Sequence, residues 1–125
     1  MKTVKYLLLG ALVVGISAPL MAQDNKSTID AISKVIKANP AGAKDQVKEV
    51  FKKNKKNAEV LAGIGRAYFE AKDTANAKHY ANLAIKADKN YGHGYILLGD
   101  IEVLNDDGGA AAGWYQQAIY FDPKN

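Results

Sequence analysis

The chain repeats itself at a fixed 34-residue offset, and this repetition constrains its fold more than any other feature. Residues 58–91 match residues 92–125, and the shared positions carry mainly small and apolar side chains. A period of this length is typical of stacked supersecondary units that bury their apolar faces against one another. It favours an interaction surface over an enzyme. The matched pairs are Leu61 with Tyr95, Ile64 with Leu98, Gly65 with Gly99, Ala77 with Ala111, Ala84 with Ala118, Ile85 with Ile119, and Asp88 with Asp122.

Residues 1–22 have the layout of a secretory signal peptide. Two lysines precede an almost wholly apolar run over residues 6–16, and Ala22 offers a small residue before a cleavage point. The run is shorter than the ~20 residues of a comfortable membrane span, although an uncleaved N-terminal anchor is the alternative. We expect residues 23–125 to form the mature chain, exported to the periplasm or secreted, without stable membrane insertion.

The charges and the absence of cysteine limit the remaining choices. The chain has no cysteine, so a lipid anchor on such a residue is excluded and stability must come from helix packing. Residues 26–56 hold nine lysines against three acids, while residues 57–125 hold six basic groups against nine acids. This polarity can orient a partner or favour head-to-tail contact, or it can reflect two well-solvated faces. Export argues against nucleic acid as a partner.

Each 34-residue unit is interpreted as two helices joined by a turn. In the second unit, helices are predicted over residues 58–71 and from Asp73–Thr74 to about residue 87, because apolar residues recur at intervals of three and four. Asp73 or Thr74 is expected to cap the second of these helices. The third unit follows the same plan, with glycine supplying backbone freedom in the turn at residues 105–109. The first unit is weaker, with one helix ending at Asn39–Pro40 and another over residues 42–53.

These residues resemble the tetratricopeptide repeat family. The resemblance covers residues 58–91 and 92–125 in phase and residues 24–57 loosely; it departs from the family pattern at Ala81, Lys89 and Glu102. It implies an all-α fold, a right-handed solenoid of about three antiparallel helix pairs. The positions that carry it are Leu61, Ile64, Gly65, Tyr68, Ala77 and Ala84 in one unit, and Tyr95, Leu98, Gly99, Ala111, Tyr115, Ala118 and Pro123 in the next.

The resemblance also implies a concave groove lined by the first helix of each unit. Such a lining, which mixes apolar side chains with a few charges, suits an extended or helical peptide. A clamp for a C-terminal carboxylate is not expected, because Arg66 is the one suitable cation and Asp100 opposes it. The alternative for Phe69, Ile96, Val103 and Leu104 is plain core packing. The implied lining comprises Glu59, Ala62, Arg66, Phe69, Glu70, His93, Ile96, Asp100, Val103 and Leu104.

The leading prediction is a non-catalytic scaffold or adaptor of the cell envelope that binds a protein or peptide. His79 and His93 lie on different predicted helices without further ligands at metal-binding spacing, so neither a metal nor another cofactor is expected. One alternative is self-association through an uncapped last repeat, with Trp114, Tyr115, Ile119 and Phe121 at the interface. Another is a surface module that binds acidic glycans through the lysines at positions 52, 53, 55 and 56.

Overall fold

The computed structural model describes residues 24–124, and this part of the chain is all-α. It contains no β-strand within those residues, and the predicted signal peptide lies outside them. Six α-helices and one short 3-10 turn follow one another along the chain. They are α1 (Asn25–Ala38), the 3-10 turn (Ala41–Ala43), α2 (Lys44–Lys53), α3 (Ala58–Glu70), α4 (Thr74–Ala87), α5 (Gly92–Leu104) and α6 (Gly108–Phe121).

The repeat of the sequence reappears in the bounds of the helices. Helix α5 begins and ends one full repeat after α3, and α6 begins and ends one full repeat after α4. The turns between the paired helices match as well, because Lys72 and Asp106 both adopt a positive φ, of 70° and 61°. The prediction that glycine supplies the backbone freedom of the turn between α5 and α6 is wrong. Asp106 takes the left-handed conformation, while Gly108 and Gly109 already belong to α6.

Side-chain caps fix where several helices begin. Asp73 accepts a hydrogen bond from the backbone N–H of Asn76 at the start of α4, which confirms the predicted cap. Asp107 does the same for Ala110 at the start of α6. These caps satisfy backbone donors that have no partner inside the helix. Helix α5 differs, because Tyr91 precedes it without a side-chain cap.

A side chain from another part of the chain accepts the hydrogen bond of the backbone N–H at the start of α5. The backbone N–H of Gly92 donates to Oδ2 of Asp122, 2.8 Å away, just beyond the end of α6. The hydroxyl of Tyr95 donates to the backbone oxygen of Lys89 at 2.8 Å. Both bonds link the first turns of α5 to neighbouring segments, and the acceptor at Asp122 lies 30 residues from Gly92 along the chain.

Neighbouring helices pack on one another through small residues. Helix α3 packs on α1, α4 and α5, and α5 packs on α4 and α6. A Cβ atom added to Gly65 would lie 2.8 Å from Leu97 and 3.1 Å from the backbone oxygen of Ala77, so the chains approach closely there. Large side chains fill the space between such contacts. Those with almost no exposure are Ile36, Val47, Val60, Leu61, Ile64, Leu97 and Leu98.

Candidate partner-binding groove

Helices α1, α3 and α5 together surround an open depression of about 210 Å3. Four residues of the predicted groove, Glu59, Ala62, Arg66 and His93, line it. The structure therefore brings this part of the predicted set together on adjacent helices. The prediction omitted four other lining residues. They are Ile29, Gly63, Tyr91 and Leu97.

A sequence signal for three of the omitted residues was present. Ile29, Gly63 and Leu97 follow one another at intervals of one full repeat, so they occupy one position of the repeat. Gly63 is small because a Cβ atom there would lie 2.7 to 2.9 Å from the side chain of Ile29. The depression thus has an apolar floor built from one repeat position, and polar side chains at its rim.

Arg66 is held in place by two contacts. Its Nη2 lies 2.8 Å from Oδ2 of Asp100, and its guanidinium carbon lies 5.2 Å from the centre of the Phe69 ring. Asp100 also accepts a hydrogen bond from the Tyr115 hydroxyl. That bond, followed by burial, raises the pKa of Tyr115 above its usual value of 10.0. A ligand carboxylate would have to compete with Asp100 for Arg66.

Three further polar links join α3 and its capping residue Asn57 to α1, at opposite ends of the groove. At one end, Nδ2 of Asn25 donates to Oε1 of Glu59 at 2.7 Å, and Asn57 donates to Asn25 at 2.8 Å. At the other end, Nζ of Lys37 lies 2.7 Å from Oε1 of Glu70. These links are exposed or half-exposed, and such surface pairs contribute only about 0–1 kcal/mol each. Their main consequence is to orient the two glutamates along the groove.

The other predicted groove residues lie apart from this depression. Phe69 is partly buried against the main core. Ile96 lines a different depression, of about 180 Å3, beside helix α6. Val103 and Leu104 are 54% and 48% exposed near the end of α5. The alternative interpretation as core therefore fits Phe69 and does not fit Val103 or Leu104.

The four residues predicted for an end-to-end interface divide into two pairs. Tyr115 and Ile119 lie beside Ile96 around the depression on α6, and Ile119 is 68% exposed. Trp114 and Phe121 instead pack on Tyr95, with ring centres 6.4 and 5.3 Å from its own. The sequence prediction missed Tyr120, which is 78% exposed. We call the apolar set on α5 and α6 the end surface; it comprises Ile96, Val103, Leu104, Ile119 and Tyr120.

The lysines and histidines singled out in the sequence lie on the surface. Lys52 is 3.5 Å from Glu49 within α2, and Lys53, Lys55 and Lys56 are exposed near the carbonyl end of that helix, where cations are favourable. His79 and His93 are exposed on α4 and α5. No group of three possible metal ligands occurs among residues 24–124.

Comparisons with known proteins do not identify a family for this chain. No family model matches the chain, and no curated protein matches it significantly. Within residues 24–124, no helix has both the length and the apolar character needed to cross a bilayer. The resemblance to tetratricopeptide repeats therefore stays a prediction from the sequence.

Proposed function

We propose that this chain is an exported, non-catalytic interaction module of the tetratricopeptide type, built as a right-handed solenoid of helix pairs. Two observations support the repeat architecture. The bounds of α5 and α6 repeat those of α3 and α4 at the constant offset seen in the sequence, and α3 packs on both α1 and α5. In this proposal the groove on α1, α3 and α5 holds a peptide segment of a cell-envelope protein.

The observation that carries the proposed function is the depression shared by α1, α3 and α5. It combines an apolar floor of Ile29 and Leu97 with the polar side chains of Glu59 and His93 at its rim. Extended and helical peptides bind to surfaces of this kind through alternating apolar and polar contacts. Because Asp100 already pairs with Arg66, we expect recognition of the body of a peptide rather than its terminal carboxylate.

A displayed library of random peptides, selected on the purified protein, tests this function. Selected peptides should bind at least tenfold more weakly to the variant His93→Glu, which places a second acid beside Glu59 at the rim of the depression. His79→Glu is the matched control, because the same change then lies on α4, away from the depression. Equal loss in both variants, or a failure to select any peptide, would contradict groove binding.

Self-association through the end surface is the second candidate function. The four large apolar residues that are most exposed among those described, Val103, Leu104, Ile119 and Tyr120, all lie on α5 and α6. Burial of exposed apolar side chains in an interface removes them from water, and large exposed apolar areas mark interaction sites. At the other end, the exposed residues of α1 and α2 are mostly polar, so a dimer would join two copies of the end surface by a two-fold axis.

Light scattering over a concentration series distinguishes this candidate from a monomer. A dimer that dissociates when Ile119 is changed to Lys would support it, and Ala31→Lys on the exposed side of α1 is the control. Salt gives a second criterion, since contact between two acidic ends strengthens with ionic strength while head-to-tail contact with the lysine-rich end weakens. A monomer at every concentration would exclude self-association.

Export is proposed from the sequence of residues 1–22. Expression of the full chain in a bacterial host, followed by sequencing of the N-terminus of the periplasmic and secreted fractions, tests it. We expect a mature chain that begins near Gln23. A chain that stays in the membrane fraction with Met1 intact would instead support the uncleaved anchor.

A further inference from the structure

A cleft of about 350 Å3 lies between helices α2 and α4, outside the groove and the end surface. Its volume lies at the lower end of the range of about 300–1,000 Å3 that is typical of small-molecule sites. Cationic, hydrogen-bonding and apolar groups share its walls. The lining residues are Pro40, Ala41, Lys44, Val47, Lys48, Tyr68, Asp73, Asn76, His79 and Tyr80.

The lining of the cleft holds more positive than negative charge, with two lysines against one aspartate. Lys44 and Lys48 stand four residues apart and therefore share one face of α2. Neither takes part in the ion pairs found among residues 24–124. Asp73 is the one acid in the lining, and its two oxygens already accept hydrogen bonds from the backbone and side chain of Asn76, at 3.1 and 2.9 Å.

Aromatic rings form a rigid wall of the cleft. The rings of Tyr68 and Tyr80 stack with centres 6.0 Å apart, and Phe51 packs edge-on against Tyr80 at 6.3 Å. Tyr68 is only 3% exposed. Tyr68 lines the cleft, and its hydroxyl makes no hydrogen bond to another described residue. Since no fully buried polar side-chain atom among residues 24–124 lacks a partner, that hydroxyl is open to solvent or to a ligand.

Together these groups match one kind of ligand. Two ammonium groups suit a carboxylate or sulfate, and the phenol, amide and imidazole groups suit several closely spaced hydroxyls. The apolar side chains of Pro40, Ala41 and Val47 suit the C–H face of a ring. An inorganic anion would use the lysines alone, whereas an acidic sugar also offers hydroxyls to the phenol, amide and imidazole groups.

We propose that the cleft between α2 and α4 binds an acidic sugar residue of a polysaccharide. Lys44 and Lys48 pair with the anionic group of the sugar, and Tyr68, Asn76 and His79 hydrogen-bond its hydroxyls. The site is separate from the groove, so it does not depend on the peptide-binding function. It gives the lysine-rich end of the chain a defined contact instead of a general attraction for anions.

Nuclear magnetic resonance titration of the full chain tests the proposal. The probes are a trimer of galacturonate, a neutral galactose trimer and sodium sulfate. We expect the acidic trimer to shift the backbone amide signals of residues 41–48 and 73–80, and to bind at least tenfold more tightly than either control. Equal binding of sulfate would show a simple anion site, equal binding of the neutral trimer would remove the role of the lysines, and absence of binding would refute the proposal.

Charge variants separate this site from non-specific attraction. Lys44→Glu with Lys48→Glu should weaken binding of the acidic trimer at least tenfold. Lys53→Glu with Lys55→Glu is the matched control, because it makes the same change in net charge near the same helix but outside the lining. Equal loss in both double variants would overturn the proposal in favour of general electrostatic attraction. A tighter complex with a polyglutamate peptide than with the sugar would overturn it in favour of an acidic protein partner.

Discussion

Arg66 on α3 and Asp100 on α5 occupy the same position of the 34-residue repeat and form an ion pair of 2.8 Å. The same offset separates Asn25 from Glu59, which are hydrogen-bonded between α1 and α3. In these two links the repeat period is also the distance along the chain between the paired polar groups. Such pairs fix the register between helices whose apolar contacts alone are less specific.

The Arg66–Asp100 pair should show measurable coupling in a double-mutant cycle. Asp100 forms an ion pair with Arg66 and accepts a hydrogen bond from Tyr115, and interactions that involve a charged group are stronger than neutral ones. We expect a coupling energy of about 0.5–1.5 kcal/mol between Arg66→Gln and Asp100→Asn, measured by urea unfolding. Lys26 and Asp30 are the control pair, at 2.9 Å and 82% and 59% exposed. Equal coupling in the two pairs would show that partial burial of Arg66 and Asp100 has no effect.

Two helical glycines should respond in opposite directions to alanine. A Cβ atom at Gly65 would lie 3.1 Å from the backbone oxygen of Ala77, which has little freedom to move, whereas a Cβ atom at Gly113 would meet no neighbouring atom within 4 Å. Gly65→Ala should therefore lower the free energy of unfolding by about 1–3 kcal/mol. Gly113→Ala, inside α6, should raise it by about 0.4–1 kcal/mol, because alanine restricts the unfolded chain and favours the helix. Thermal melts that shift in the same direction for both variants would contradict the packing of α3 on α4.

The cap at Asp73 should contribute to stability through its oxygen rather than its charge. Asp73→Ala leaves the N–H of Asn76 without its partner at 3.1 Å, and loss of such a cap costs about 0.5–2 kcal/mol. Asp73→Asn keeps an acceptor in the same place, so we expect a change of less than about 0.5 kcal/mol. Chemical denaturation of the two variants measures the difference, and similar losses would assign the effect to charge.

The remote cap at Asp122 predicts a stability effect that the local sequence does not reveal. Gly92 donates to Asp122 at 2.8 Å, while Tyr91 supplies no cap of its own. Asp122→Ala should therefore cost about 1 kcal/mol. It should also increase hydrogen exchange at the Gly92 amide more than at the Ala110 amide, which Asp107 caps. Unchanged exchange at Gly92 would show that solvent replaces the lost acceptor at no cost.

Much of the helical organisation was predictable because the repeat makes each unit a test of the other. The sequence predicted the all-α class, the helices within residues 58–121 and a cap at Asp73 or Thr74. The structure confirms the helices and assigns the cap to Asp73. These features depend on local patterns of apolar residues and on cap chemistry. The left-handed turn residue was not predicted, because Gly108 and Gly109 outweighed Asp106 as turn signals although Lys72, one repeat earlier, takes the same conformation.

The candidate sites were less predictable, because their shape depends on which side chain fills each gap. Above Gly65, Leu97 of the following repeat fills the space. The equivalent space above Gly99 is filled by Tyr115 of the same repeat, whose counterpart one repeat earlier is Ala81. The sequence shows this substitution, but it does not show that the tyrosine folds back over Gly99 toward Asp100. Gly99 and Gly65 therefore have different neighbours although they occupy the same position of the repeat.

The tyrosines predict a loss of stability at alkaline pH. Burial raises the pKa of Tyr68, Tyr80 and Tyr91 above 10.0, and the hydrogen bond to Asp100 raises that of Tyr115. A pKa that is raised in the folded state means that the native protein keeps protons which the unfolded chain releases. The stabilisation is thus complete below the unfolded value of about 10 and declines as the pH rises through the folded values.

Thermal melts from about pH 8 to about pH 11.5 measure this decline. Tyr115→Phe removes both the hydroxyl proton and the bond to Asp100, so we expect a lower melting temperature at neutral pH and a shallower fall above about pH 10. Tyr120→Phe is the control, because that ring is 78% exposed. Parallel curves for the wild type and Tyr115→Phe would show that the Tyr115 hydroxyl does not contribute to the alkaline transition, and the buried tyrosines of α3 to α5 would then account for it.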